Sequence, residues 1–560
     1  MPWGMIENRG EQPIPMSPSD PVERLDSWKE IASYLRRDVR TVQRWEKKEG
    51  LPVYRHQHDK LGSVYAYRPE LTAWFSGRQL SGQPKPSEKI KIAVLPFVKV
   101  DGKEDDDYFS EGLTDEMTTQ VTRLQPSQVA VIARTTAVHY SAAAESLKKM
   151  KQELGVDYVL EGRVRRAGNR VRINAQLTDL EDQTQLWAET YERDLGDVLS
   201  VQAGIAQAIA SEINLALNLS ETNRLSRLQG GQDRVDPAAY DAYLKARYHL
   251  HEMTPAAISK SIQEFEAAIK ADPQYASAYS GLAAACALLA MVPFDLLPPN
   301  EAMPRAEAAA RKALELDDGL AEAHTALALV NHHFHWNWKE AEAEYRKAIE
   351  LNPNSHSAHL WYSWLLLALS KRKEAFAEID EAMQIAQETD PQRLVAVHAT
   401  RAIAYYFNRE FEQATDECEK GLQLDGKHFM LHYILGRSCM RLGNSDKAIR
   451  HLKSAGHKPG EIPLADAALG LAYAVSGHQE ETQKLAETLR NVFSKRYVPA
   501  TYFGLLYAGL GDKARALAWL EKAYTERADG LTWLNVDPML DDVRSDPRFK
   551  NLLKRIGLVQ

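Results

Sequence analysis

The strongest constraint on this 560-residue chain is a repeat in its second half. Aligning the small residue that opens the second of two helical stretches gives Ser261, Ala306, Ala341, Ala375, Ala414, Ala448, Thr482 and Ala516, with steps of 45, 35, 34, 39, 34, 34 and 34 residues. Four residues on stand Phe265, Ala310, Tyr345, Ile379, Cys418, Leu452, Ala486 and Leu520. Gly443, Gly477 and Gly511 each fall five before a marker, where a turn belongs, and Leu435-Gly436 and Leu469-Gly470 sit in first helices. Small residues at this spacing let two antiparallel helices approach, and larger ones fill the seam. No single pair buries its apolar face, so the pairs must stack into a superhelix.

The period and these positions resemble tetratricopeptide repeats over residues 237–535, about eight helix pairs. The resemblance implies a groove that binds a protein or peptide and implies no chemistry. His359, Trp361 and Trp364 are the candidates to line that groove, since aromatic side chains anchor interfaces; between repeats they would simply be core. The remainder, 536–560, is expected as a polar carboxyl-terminal cap. His332, His333, His335, Trp336 and Trp338 form a dense cluster, but His332 and His333 should point apart on a helix, so packing rather than a metal site is expected. Cys286, Cys418 and Cys439 are too few and too scattered for a disulfide framework or a cysteine-built zinc site, which fits a reducing compartment.

The overall charge of −8 hides an asymmetry. From Arg24 to Leu80 there are twelve Lys/Arg against seven Asp/Glu, so a module of +5 is attached to an acidic body. Residues 1–22 are Pro-rich, are expected to be disordered and carry no secretory leader. Within 23–78, Asp26 or Ser27 can cap a helix whose Trp28, Ile31, Ala32 and Leu35 share one face. Asp38 can cap a second helix, Val39 to Lys48, with Val42 and Trp45 inward and Arg40, Thr41, Gln43, Arg44, Lys47 and Lys48 outward. A recognition helix in a major groove needs this division. Val53 to His56 and Ser63 to Tyr67 read as the two strands of a wing, and Pro69 to Phe75 as a closing helix.

Glu30-Ile31-Ala32-x-x-Leu35, Thr41-Val42-x-Arg44-Trp45-Glu46, Leu51-Pro52 and Arg68-x-Glu70-Leu71-x-x-Trp74 together resemble the winged helix-turn-helix of the MerR and excisionase type. The resemblance implies that Arg40, Thr41, Arg44 and Lys47 face the groove, and that His58 and Lys60 sit at the wing tip near phosphates. On composition alone the same face could dock an acidic protein.

A Gly/Pro/Ser-rich linker, 79–90, leads into an α/β segment at 91–220. Lys91 to Phe97 and Val129 to Ala133 are apolar runs of the buried-strand kind. Tyr158 to Val164, Val171 to Leu177 and Gln185 to Tyr191 alternate apolar with polar, as a one-sided antiparallel meander does. Helices are expected at Ser110 to Leu124, Ser146 to Leu154 and Gly196 to Leu217. Glu104 to Asp107 reads as a solvated acidic run, and Arg163, Arg165, Arg166, Arg170 and Arg172 as the wet face of the meander. Val94-Leu95-Pro96-Phe97, Phe109-Ser110-Glu111-Gly112-Leu113-Thr114-Asp115-Glu116, Leu154-Gly155-Val156-Asp157-Tyr158, Glu161-Gly162 and Leu186-Trp187-Ala188-Glu189 resemble the amino-terminal domain of TolB-like and FlgO-like proteins. In bacteria that domain accompanies CadC-type DNA-binding domains, class III adenylate cyclases or kinases. No phosphate-binding loop, dinucleotide fingerprint, zinc-protease motif or nucleophile elbow is present, and nothing resembles the cyclase aspartate pair.

The sequence therefore describes a multidomain chain: a winged helix-turn-helix (α+β), an α/β domain with an antiparallel meander, and an all-α tetratricopeptide superhelix. The expected function is that of a cytoplasmic bacterial transcription regulator, CadC-like but with no membrane span. It would bind double-stranded DNA, with a homodimer as one expected form, and a protein or peptide in the repeat groove. It is expected to use no metal or cofactor and to be no enzyme. The alternative is a tetratricopeptide scaffold or signalling adaptor whose basic module binds protein.

Overall fold

The computed structural model describes residues 24–35, 39, 42, 46, 51–55, 64–68, 70–71, 89–100, 107–124, 129–132, 134–137, 139–140, 143–217, 234–292, 294–389, 393–456 and 462–559. They fall into two compact units, 1–88 and 89–560.

In the first unit, β1 (Arg24–Leu25), α1 (Trp28–Tyr34), β2 (Tyr54–Arg55) and β3 (Val64–Tyr67) surround a small core. Ser27 caps α1, its hydroxyl accepting from the Glu30 amide, while the Glu30 carboxylate accepts from the Asp26 amide; the two ends of the first turn satisfy each other. The antiparallel sheet runs β1-β3-β2, with Tyr54 opposite Tyr65 and Arg55 opposite Val64. Leu25, Ile31, Ala32, Leu35, Val42, Leu51, Val64, Ala66 and Leu71 form the core, so Val42 faces inward. Arg55 on the hairpin pairs with Glu46 at 2.8 Å.

The second unit opens with a sheet ordered β6-β4-β7-β8-β9, made of β4 (Ile90–Val94), β6 (Val129–Ile132), β7 (Tyr158–Ala167), β8 (Arg170–Asp179) and β9 (Thr184–Asp194); β5 (Val98–Lys99) also pairs with β7. The pairs β4/β6 and β4/β7 are parallel; β7/β8 and β8/β9 are antiparallel. The apolar runs of β4 and β6 are covered on both faces. Ile92, Val94 and Leu160 meet α2 (Asp107–Leu124) and α5 (Val198–Leu217). Ala93 and Val159 face the other way, toward α3 (Arg134–Ala137) and α4 (Ala144–Leu154). Along β8 Val171, Ile173, Ala175 and Leu177 are buried while Arg170, Arg172 and Asn174 are exposed, the alternation of a one-sided meander.

Eight antiparallel helix pairs follow among the described residues: α6 (Pro237–His251) with α7 (Pro255–Ala271), α8 (Ala276–Leu289) with α9 (Pro299–Leu316), α10 (Ala321–Val330) with α11 (Trp338–Leu351), α12 (His356–Ala368) with α13 (Arg372–Thr389), α14 (Leu394–Phe407) with α15 (Phe411–Leu424), α16 (Phe429–Arg441) with α17 (Ser445–Gly456), α18 (Pro463–Val475) with α19 (Gln479–Phe493) and α20 (Ala500–Gly509) with α21 (Lys513–Glu526). Each marker residue of the repeat lies in a second helix. Six pairs turn on a left-handed residue five before the marker: Trp336, Ser370, Arg409, Gly443, Gly477 and Gly511, with φ between 56° and 79°. The three glycines take this conformation without the cost a side chain incurs.

The array and the α/β layer share one continuous core. Gly112 on α2 lets Leu244 of α6 approach; a Cβ there would stand 2.7 Å from its Cδ2. Tyr243 donates to the buried Glu116, and Tyr108 donates to Asp241, which also pairs with Arg166. Further along the array, Asn354 donates to the Val129 carbonyl at 2.7 Å and so ties the α12 end of the array to the edge strand β6.

Two expectations are corrected. His332 and His333 do not point apart: Asn331 to His335 is a π-helical turn, and their ring centroids are 3.9 Å apart. A π turn carries one extra residue, which accounts for the 35-residue step at Ala341. The segment expected as a polar cap, 536–560, buries Val536, Met539, Leu540 and Val543 before closing in α22 (Pro547–Arg555), because it lies against the first helices of the array rather than beyond its end.

Candidate functional site

Two sites are to be placed: the basic face of the amino-terminal unit and the inner face of the array. Arg40, Thr41, Gln43, Arg44, Lys47, Lys48, His58 and Lys60 lie outside the described residues. What is described beside them is the support. Val42 is buried, and the hairpin carries a cluster of rings in which Tyr54 stacks on Tyr65 at 5.4 Å and Tyr65 meets Tyr67 edge-on at 5.8 Å.

The inner face is formed by the first helices α12, α14, α16, α18 and α20, and a strap, residues 529–543, runs across it in two 3-10 turns. The strap is held at points four residues apart. Asp529 accepts from His333 Nδ1. Trp533 stacks on Phe407 with centroids 5.0 Å apart and meets Trp364 edge-on at 5.4 Å. Asp537 pairs with Arg437 at 2.5 Å, with both side chains about 5 % exposed. Asp541 pairs with Arg409 at 2.7 Å. Arg437 also lies 4.5 Å over the ring of Tyr406 and donates to the Tyr433 hydroxyl at 3.1 Å, so its guanidinium is placed before the strap arrives. Arg544 fixes the strap from behind through the carbonyls of Leu534, Asn535 and Asp537.

Between strap and helices remains a cavity of about 70 Å³, lined by Trp364, Phe407, Arg437, Thr501, Trp533 and Asp537 among others. Arg437 Nε and Thr501 Oγ1 are buried there without a hydrogen-bond partner. Nearby, Asp295 accepts from the Tyr502 hydroxyl, and burial pushes its carboxyl up to about 7. Burial holds His332 well below the ordinary imidazole range, so it is neutral. Among the described residues no group of three or more His, Cys, Asp or Glu could hold a metal ion.

Of the aromatic groove candidates, Trp364 touches the strap directly and Trp361 supports it edge-on at 5.0 Å. His359 does something else. Its Nδ1 meets Glu378 at 2.6 Å and its Nε2 takes the Pro353 carbonyl at 3.1 Å, clamping the second helix and the preceding turn of its own pair. His324 with Glu344 and His398 with Glu417 repeat the clamp, and His432 repeats it with His451 in place of the carboxylate. His359, His398 and His432 stand sixteen before their markers and His324 seventeen, so extending the register into the first helices would have found this set. The strap's cations were not legible, since Arg437 and Asp537 are 100 residues apart.

Residues 87–208 match the model of the second domain of HilA/YgeH-like transcriptional regulators. The putative adenylate cyclase 3 of Rhizobium meliloti (strain 1021) is 31% identical over 258 residues, 45% of this chain and 42% of that protein. The transcriptional regulator HilA of Salmonella typhimurium is 23% identical over 329 residues, 58% of this chain and 55% of that protein. The chain thus spans about half the length of these relatives. Among solved structures, YrrB, a TPR protein with an unusual peptide-binding site, is 22% identical and covers 34% of this chain and 90% of its own, with a TM-score of 0.24. A chain of the Cut9–Hcn1 hetero-tetramer of the APC/C is 13% identical and covers 64% of this chain and 63% of its own, with a TM-score of 0.38. No helix among the described residues is long and apolar enough to cross a membrane.

Proposed function

We propose that this chain is a DNA-binding transcription regulator whose amino-terminal unit is a MerR-type winged helix-turn-helix and whose repeat array is a protein-binding arm. The observation that carries the reading is one of order: a module of net charge +5 stands directly before a segment matching the second domain of HilA/YgeH-like regulators. Arg40, Thr41, Gln43, Arg44, Lys47 and Lys48 read the major groove; His58 and Lys60 meet phosphates from the wing. The buried Val42 supports this division, since it is the residue expected to pack behind the basic ones. The protein acts in the cytoplasm, as a dimer on a two-fold site with half-sites about one helical turn apart. The α/β segment, TolB- and FlgO-like in sequence, is a sensory or assembly domain, and the chain carries out no cyclase chemistry of its own. The second reading, a scaffold whose basic module docks an acidic protein, is favoured by the extent of the array, eight helix pairs.

The test is genome-wide DNA capture with the full chain against the Arg44→Ala/Lys47→Ala double variant. Enriched, roughly palindromic sites that vanish in the variant establish the regulator. About six phosphate contacts per protomer should also give a log–log salt slope of roughly −5, flattened in the variant. No enrichment above the variant, with protein partners co-purifying, establishes the scaffold.

A further inference from the structure

The strap differs from the helices it crosses in how it is held. Besides the apolar packing of Leu531, Leu534 and Leu540, of the kind that joins the repeat helices, residues 529–541 are attached at intervals of four by side chains of recognisable chemistry: carboxylate, indole, carboxylate, carboxylate. Their counterparts, His333, Phe407 with Trp364, Arg437 and Arg409, come from four different pairs. The strap's backbone hydrogen bonds close within itself, as from the Asp537 amide to the Trp533 carbonyl and from the Leu540 amide to the Asp537 carbonyl. The described residues thus give it no ladder to the array to break on leaving. The seam is also incompletely filled. A cavity of about 70 Å³ has room for several waters, and the unpartnered Arg437 Nε and Thr501 Oγ1 face it. A face of a histidine, two arginines and an aromatic step, engaged by an acid or tryptophan at every fourth residue, has the chemistry of a peptide-recognition surface.

We propose that the strap is a built-in ligand, and that the inner face of the array binds a partner protein's acidic, tryptophan-bearing segment of the pattern Asp-x3-Trp-x3-Asp-Pro-x2-Asp in its place. This rests on the reading of the array as a protein-binding arm and is independent of whether the amino-terminal unit binds DNA. Charge complementarity sets the partner's chemistry: Arg437 and Arg409 demand carboxylates eight and twelve residues after the first, and the Phe407–Trp364 step demands a flat ring between. A neutral or basic segment would leave Arg437 buried and unpaired, and is rejected on that ground. Occupation by the strap lowers the apparent affinity for the partner by the fraction of chains in which the face is free.

The experiment uses the full chain and a fluorescein-labelled synthetic peptide of residues 529–544. Anisotropy is read on the unaltered protein, on Trp533→Ala/Asp537→Ser, which loosens the strap, and on that variant with Arg437→Met added. The expected result is saturable binding to the loosened variant, at least about tenfold weaker binding to the unaltered chain, and a further loss of at least about tenfold on removing Arg437. A loosened variant with unchanged helical circular dichroism that binds the peptide no better than a scrambled control overturns the proposal. Should that variant not fold, hydrogen exchange on the unaltered chain decides. Amides of 529–543 opening before those of α16 support a displaceable strap; opening only together with α16 overturns it. Dimers that form by exchanging straps between copies also overturn it, since the occupant is then a second copy of this chain. A partner bound to the array with the strap still protected overturns the strap proposal and leaves the protein-binding arm standing.

Discussion

Arg437 and Asp537 meet at 2.5 Å, a hundred residues apart in sequence, with both side chains about 5 % exposed. This pair sets the position of the strap on the array. Removing either partner leaves a charge without water or counter-charge, which costs about 3–5 kcal/mol. Arg437→Ala and Asp537→Ala are therefore each expected to lower stability by that amount in urea titration followed by circular dichroism. The double substitution should cost clearly less than the two single losses together, because no lone charge is left. Strict additivity would show that the two side chains do not interact in the folded chain.

Gly436 and Gly470 occupy equivalent places in α16 and α18, yet their surroundings differ. A Cβ on Gly436 would stand 2.5 Å from Leu452 Cγ and 3.1 Å from the Ala448 carbonyl, whereas on Gly470 it would meet Leu506 and Leu485 at 3.5 and 3.7 Å. Gly436→Ala should lower stability by about 1–3 kcal/mol through overpacking. Gly470→Ala should leave it unchanged or raise it by up to about 1 kcal/mol through helix propensity. Thermal melts of the two variants side by side check the contrast, and equal shifts would contradict the packing difference.

These two cases mark how far the sequence could be read. The position of Gly436 is legible from the 34-residue register, because close approach of helices within a repeat is a local demand that recurs. The π turn at Asn331 to His335 leaves a trace as one surplus residue, but its geometry does not, so the contact between the His332 and His333 rings could not be foreseen. The strap was invisible for a different reason. Its residues mix four Asp and a single Pro with apolar side chains, which reads as a polar end piece. Only the three-dimensional curl of the array brings His333, Phe407 and Arg437 to face it, and contacts over sequence distances of 100 to 196 residues leave no periodic signal. The α/β layer was legible almost strand by strand because period-two alternation in β8 is again local.

His432 and His451 sit with Nδ1 atoms 3.0 Å apart, where three other pairs of the array set a histidine against a glutamate. Burial, then the neighbouring His432, push the His451 imidazole down to about 4. A base depressed in the folded state binds its proton more readily when unfolded. Stability is therefore lost as pH falls from about 6.5 towards 4. His451→Glu supplies the carboxylate found in the other clamps. It should raise stability at pH 5.5 by about 1 kcal/mol while changing little at pH 8, well above the range in which His451 takes up its proton. Melting temperatures of the two proteins at the two pH values test this; an equal shift at both would show that the histidine pair does not titrate as a clamp.

Asp295 gives the opposite dependence. It is buried, accepts the Tyr502 hydroxyl through Oδ2 and has no partner at Oδ1. Burial, opposed by that hydrogen bond and aided by the nearby Asp529, pushes its carboxyl from 3.8 up to about 7. Between those values the folded chain holds a proton that the unfolded chain has released, so raising the pH through this window favours unfolding, and the loss is complete above about pH 7. The gap corresponds to at most about 4 kcal/mol. Asp295→Asn keeps an acceptor for Tyr502 and cannot ionise. It should match the unaltered protein near pH 4 and exceed it progressively up to pH 8, by a few kcal/mol at the upper end. The readout is the difference between the two stability profiles from pH 4 to 8, which cancels every other titrating group. Profiles that run parallel would show that the carboxylate is charged inside the fold throughout, and that a cation or water, rather than a proton, answers its unpartnered oxygen.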